Sequence, residues 1–292
     1  MNQVFLILVH KNPQQLLMLL KQLESNESHF LIHVDLKSEI EDFKALTKSI
    51  KNIHYIKERY NVGWGSFNMV KATLALIKEL MNQNLKYSHA HLLSGEDILI
   101  KPISKLNNFF SENSDTSYID YFILPCKYWP QGGLPKLTKY YFKNCKKHNN
   151  LLKRILFKAF ELFVNHIVVQ IFPFLKKRLD KNLNYYGGSQ WWSLTKESIH
   201  YLYNYIQDNP SYCKFFKYSH IPDEIFFQTI LLNSELKPKV VSTNKRYIDW
   251  SHPEKGMPAV LEINDFEILT KTDSFFARKV DFKTSSQLYN MF

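Results

Sequence analysis

Cysteine is scarce and unpatterned in this sequence. Cys126, Cys145 and Cys213 stand far apart and no Cys-x-x-Cys occurs. A disulfide framework and a cysteine zinc site are thereby excluded, and a reducing, cytosolic compartment is the expectation. Several signatures are missing as well: there is no P-loop, no Gly-x-Gly-x-x-Gly loop, no His-Glu-x-x-His and no Gly-x-Ser-x-Gly elbow. No Asp-x-Asp triplet occurs either. That carboxylate pair often holds a divalent cation against a diphosphate, so a diphosphate bound here would fall to Lys and Arg. Long apolar runs are also lacking. The uncharged stretch Leu162–Leu175 has 14 residues and includes Asn165, His166, Gln170 and Pro173, too short and too polar to span a bilayer. At the start, Met-Asn-Gln runs straight into Val4–Val9 with no positive n-region, which reads as a strand and not as a signal peptide.

What is present in surplus is positive charge. The formal net charge is +11 over 292 residues. Such an excess suits an anionic partner: nucleic acid, an acidic membrane face or a nucleotide diphosphate. A Lys-rich composition alone also accounts for it. No recognised nucleic-acid motif accompanies the charge, so nucleic acid is not expected as a partner.

The first third alternates strands and helices. Val4–Val9, Phe30–Val34, Ile53–Ile56 and His89–Leu93 are apolar runs of strand length. Between them lie helical patterns from Pro13, over Ser38–Ile50 and over Phe67–Met81, the last with Ala72, Leu76 and Leu80 in register. The alternation predicts an α/β fold with a mostly parallel central sheet. Ligands of such sheets bind beyond the carboxyl ends of the strands. This directs attention to His10-Lys11, Asp35-Leu36-Lys37 and Ser94-Gly95-Glu96-Asp97. With no linker visible, 1–292 reads as one domain: an α/β half over 1–117, an irregular and helical insertion over 118–184, and a second half over 185–292.

Glu224 is the strongest single candidate for chemistry. Pro222 places it in the first turn of a helix expected from Asp223 to Asn233. A carboxylate there complements the helix dipole and needs no further role. Alternatively, the flanking Ile225, Phe226 and Phe227 would desolvate it, raise its pKa and make it a general base. A second candidate is the basic set Arg246, Lys255, Arg278 and Lys279. It reads either as a solvated face or as cations anchored by Phe275-Phe276-Ala277 to hold a diphosphate leaving group.

Seven segments occur in a recognisable order: Leu6–His10, Ile32–Asp35, Trp64-Gly65, Leu92–Asp97 with Ile100-Lys101, Gly187–Trp192, Pro222–Glu224 and Phe275–Lys279. Together they resemble the core-2/I-branching β-1,6-N-acetylglucosaminyltransferase family, which also contains peptide O-xylosyltransferases. The resemblance covers nearly the whole chain and is weakest over 118–184. It implies a GT-A-type, Rossmann-like nucleotide-sugar-binding fold and inverting, metal-independent transfer from a UDP-sugar to a glycan or glycolipid, with no cofactor. It makes Glu224 the catalytic base and puts Lys279 on the diphosphate. Asp35 would meet the nucleoside and Asp97 the donor sugar. His10, Trp64 and Arg278 join the donor side, and Ser189, Trp191 and Trp192 the acceptor side. The family's second diphosphate-binding cation has no plain match; Lys255 or Arg246 would replace it. N-acetylglucosamine is the expected sugar, with xylose next, and an inactive carbohydrate-binding relative is the alternative to an enzyme. The animal members are secretory and tethered, so this chain reads as a compact bacterial relative in the cytosol.

One segment stands outside the resemblance. From Leu151 to Arg178 an apolar helical stripe is bounded by Lys153, Arg154 and Lys158 at one end and Lys176-Lys177-Arg178 at the other. It reads either as a core helix pair packed on the sheet or as a surface helix in peripheral contact with an anionic membrane at its inner face.

Overall fold

The computed structural model describes residues 1–142, 151–251 and 258–292. The chain begins β1 (Gln3–Val9), α1 (Pro13–Leu23), β2 (Ser28–Val34), α2 (Ile40–Thr47), β3 (Ile53–Tyr55), α3 (Phe67–Asn82), β4 (His89–Ser94). It continues β5 (Asp97–Leu99), α4 (Ile103–Glu112), β6 (Ser117–Ile119), β7 (Phe122–Ile123), α5 (Pro135–Thr138), α6 (Leu151–Phe163), α7 (Val169–Ile171), β8 (Tyr186–Gly187) and β9 (Trp192–Thr195). The remainder is α8 (Lys196–Asp208), α9 (Pro210–Phe216), α10 (Phe226–Leu232), β10 (Val240–Val241), β11 (Arg246–Ile248), α11 (Phe266–Lys271), β12 (Phe276–Arg278) and α12 (Ser286–Tyr289).

A seven-stranded sheet in the order β10-β6-β9-β4-β1-β2-β3 forms the centre. All its strands run the same way except β9, which is antiparallel to both β4 and β6. The α/β, mostly parallel arrangement expected from the sequence is therefore present, and the sheet draws strands from both halves of the chain. Every residue of β1 is buried. Val4, Leu6 and Leu8 pack on one face with α3, α8 and α10, while Phe5, Ile7 and Val9 pack on the other with α1, α2 and α4. Each such side chain contributes roughly 1.5–3 kcal/mol by leaving water, which is why the strand is apolar throughout and does not alternate. In α1, Pro13 opens the helix, and Leu16, Leu19, Leu20 and Leu23 line one stripe onto the sheet.

A second sheet, β11-β12-β5, hangs from the carboxyl end of β4, because only Gly95 and Glu96 separate β4 from β5. The joint is tight: a Cβ on Gly95 would sit 3.0 Å from Val9 Cγ1. Two expected elements differ. The helix read from Asp223 to Asn233 is a 3-10 turn, Pro222–Glu224, followed by α10, with Ile225 non-helical between them. And 151–175 is not a helix pair on the sheet: α6 runs through a π-helical turn, Val164–Val168, into α7 as one continuous rod.

Candidate active site

The joint between the two sheets gathers charge. Arg278 on β12 is the register partner of Asp97 on β5, and its Nε lies 3.1 Å from the Asp97 carboxylate. Asp97 is buried and also accepts the Ser94 amide at 2.5 Å and the Ser94 hydroxyl at 2.8 Å. The Arg278 guanidinium lies 4.2 Å from the centre of the Trp191 ring, a cation–π contact. Asp97 and Arg278 thus neutralise each other inside the wall and fix where Ser94 and Trp191 stand.

Glu96, one residue earlier, faces the other way. Its carboxylate binds Lys11 at 2.8 Å and Lys279 at 2.9 Å. Burial would raise this carboxyl, but the hydrogen bonds and charges of the two lysines outweigh burial and hold it at about 2. His10 beside it stays open to solvent on one side, and partial desolvation on the other pushes it below the usual imidazole range, against the pull of Glu96. The ends of β1, β4 and β12 therefore converge on one cluster: His10, Lys11, Glu96 and Lys279. Asp35, at the end of β2, is buried and uses its carboxylate on the amides of Lys37 (2.9 Å) and Val62 (3.0 Å). It closes the 60–62 loop over the strand end.

A second group is built around Glu224. The Ile221 amide donates to the Gly65 carbonyl at 3.1 Å, and Ile221 itself has φ 49°, ψ 57°. A β-branched residue in the left-handed region is strained, and surrounding structure must impose it. Here the Trp64-Gly65 loop and Pro222 impose it, and the turn presents Glu224. Its side chain keeps 30% exposure and pairs with Lys136 at 2.9 Å. The Lys136 ammonium in turn lies 3.4 Å from the centre of the Trp129 ring. Ile225, Phe226 and Phe227 are wholly buried and turn into the core, so the apolar neighbours read from the sequence do not enclose the carboxylate. Trp64 stands exposed, edge-on to His220 at 6.4 Å.

Residues 187–191 join the two groups. The Gly188 amide donates to the Glu224 carbonyl at 2.9 Å, Ser189 accepts from Gln228 Nε2 at 2.7 Å, and Trp191 underlies Arg278. Both glycines are required by space. A Cβ on Gly187 would lie 2.6 Å from the Trp129 ring, and one on Gly188 would lie 1.9 Å from the Asp120 carbonyl oxygen.

The sequence profile of the Core-2/I-Branching enzyme matches residues 4–270, most of the chain. The chain belongs to that family. Xylosyltransferase oxt of Drosophila melanogaster is 23% identical over 242 residues, 81% of this chain and 25% of the fly protein. Xylosyltransferase 2 of Rattus norvegicus is 23% identical over 254 residues, 85% of this chain and 26% of the rat protein. The chain matches about a quarter of the length of these relatives. Mouse xyloside xylosyltransferase 1 in its apo form aligns with a TM-score of 0.42 at 12% identity, covering 95% of this chain and 97% of that one. Of the fold that the resemblance implied, the α/β layer with a mostly parallel central sheet is present in this branching-family chain.

Two expected site residues fall elsewhere. Trp192 is fully buried against Phe227 and packs the core, so it touches no acceptor. Arg246, one of two options for a second diphosphate cation, points into the protein: Nη2 donates to the carbonyls of Trp192 (2.7 Å) and Leu92 (3.2 Å), and Nη1 to Ser193 Oγ (2.8 Å). Burial pulls its guanidinium down to about 9. Lys255 lies outside the described residues. Sequence reasoning missed Lys11 and Glu96, although both belong to the strand-end segments it singled out. It also missed Lys136 and Trp129, for which no local signal exists.

Proposed function

We propose that this branching-family chain is an inverting glycosyltransferase that moves a sugar from a UDP-sugar to a hydroxyl of a glycan or glycolipid without a metal ion. The acceptor oxygen forms a bond to the anomeric carbon while the bond from that carbon to the UDP oxygen breaks. UDP leaves with the bonding pair, and the acceptor proton passes to a Glu224 carboxylate oxygen. Charge builds on the departing diphosphate, where Lys279 and Lys11 are the nearby cations that would stabilise it. The observation that carries this reading is the Glu224 carboxylate: part-exposed on a strained turn, held by Lys136, and coupled through Gly188 to the wall that carries Arg278.

N-acetylglucosamine is the donor suggested by the family resemblance. The named relatives are xylosyltransferases, so UDP-xylose stands beside it. UDP release measured against UDP-N-acetylglucosamine, UDP-xylose and other UDP-sugars decides the donor. Glu224→Gln is expected to retain fold and UDP binding while lowering turnover by roughly 10²–10⁴, the usual worth of a general base. Near-normal turnover in that variant removes Glu224 from the catalytic role.

A further inference from the structure

The rod from α6 to α7 and the turn after it present their apolar side chains outward. Ile155, Leu156, Phe160, Phe163, Ile171 and Phe174 are between 49% and 77% exposed. Scattered apolar residues on a surface are ordinary, but a row of this length along one segment marks a contact surface. The polar residues of the segment are arranged to match an anionic partner. Lys158, Lys176 and Arg178 are exposed. Glu161, the sole carboxylate between residues 151 and 179, is buried and occupied by the Phe142 amide at 3.2 Å and Lys158 at 3.1 Å. The outward face is therefore apolar and cationic, with no exposed negative charge.

The segment is fastened to the body beside the Glu224 turn. Asn165 exchanges hydrogen bonds with the Tyr140 backbone at 2.7 and 2.8 Å, and Tyr140 Oη donates to the Leu175 carbonyl at 2.5 Å. Lys177 Nζ donates to Ser219 Oγ at 2.7 Å, and the Tyr141 amide to the Tyr218 carbonyl at 2.8 Å. Among the described residues no helix is long and apolar enough to cross a membrane, so the face suits a helix lying in the interface plane.

We propose that residues 155–178 dock on an anionic lipid bilayer, with the phenylalanine and aliphatic side chains at the headgroup boundary and Lys176 and Arg178 on lipid phosphates. The test is co-sedimentation of the full chain with phosphatidylcholine vesicles and with vesicles containing 30% phosphatidylglycerol. At least tenfold tighter binding to the anionic vesicles is expected. Lys176→Gln with Arg178→Gln should weaken that binding about 30-fold, the loss expected for two surface cations. Phe163→Ser with Ile171→Ser and Phe174→Ser, all at exposed positions, should abolish it. UDP release without vesicles should be unchanged in both variants, which separates this surface from the transfer reaction. Negligible binding to both vesicle types overturns the proposal. So does a stable dimer that the triple serine variant converts to monomer without altering vesicle binding, because a second copy would then be the occupant.

Discussion

Lys279 and Lys11 share one carboxylate, Glu96, at distances below 3 Å. A bound diphosphate would compete with that carboxylate for the same two ammonium groups. Lys279→Ala is therefore expected to weaken UDP binding by roughly 10–100-fold, the scale of a charge-assisted hydrogen bond, with a much smaller effect on uridine. Calorimetry with both ligands checks this; equal losses would place Lys279 away from the diphosphate. Turnover should persist in excess EDTA, and activity lost there and restored by Mn²⁺ would contradict the lysine reading. Glu96 also links charge to stability. Its folded value of about 2 lies below the ordinary 4.5, so its contribution is present above pH 4.5 and is lost as pH falls toward 2. Urea midpoints between pH 6 and 3 should fall less steeply in Glu96→Gln than in the parent chain. An identical slope would mean that other carboxylates govern acid unfolding.

At the scale of elements, the turn carrying Glu224 and the Gly187-Gly188 corner work together. Gly188→Ala must push its methyl against the Asp120 carbonyl, so it is expected to destabilise the fold by about 1–3 kcal/mol or more and to displace Glu224 through the lost amide contact. A denaturant midpoint equal to the parent's would show that the corner can relax. These elements show what was legible in the sequence. Strands such as Val4–Val9 were readable because both faces are buried, which leaves a continuous apolar run. The double glycine and Pro222-Asp223-Glu224 were readable as segments, but the helix assigned to 223–233 was not right. Proline and two acids suit a 3-10 turn as well as an α-helical first turn, and Ile221, forced into a positive φ by Gly65, leaves no local mark. For 151–175 the helical period was legible but its environment was not, since an apolar stripe looks the same whether it faces a core or an interface. Lys136 is 88 residues from Glu224 in the chain, and only the tertiary fold brings the pair together.

Across the whole molecule, the seven-stranded sheet explains which charges were misread. Arg246 belongs to a buried line that runs from Gln3 through His91 and Ser193 to its guanidinium, with contacts of 3.1, 2.8 and 2.8 Å. Burial, the dominant effect, keeps His91 far below its usual range, so a neutral ring bridges β1, β4 and β9. From the sequence alone, Arg246 looked like part of a basic cluster because charge runs carry no sign of direction. The place of β9 in that sheet has a further consequence, for the order of synthesis. The strands β1 to β4 can pair as soon as residue 94 has emerged, but the edge of β4 waits for Trp192–Thr195. At 5–20 residues per second, about a hundred residues of delay leave that edge open for roughly 5–20 s. An open edge of buried-type strand invites pairing with another chain. The nascent chain is thus most vulnerable to a neighbour on the same message during the interval before β9 fills its slot.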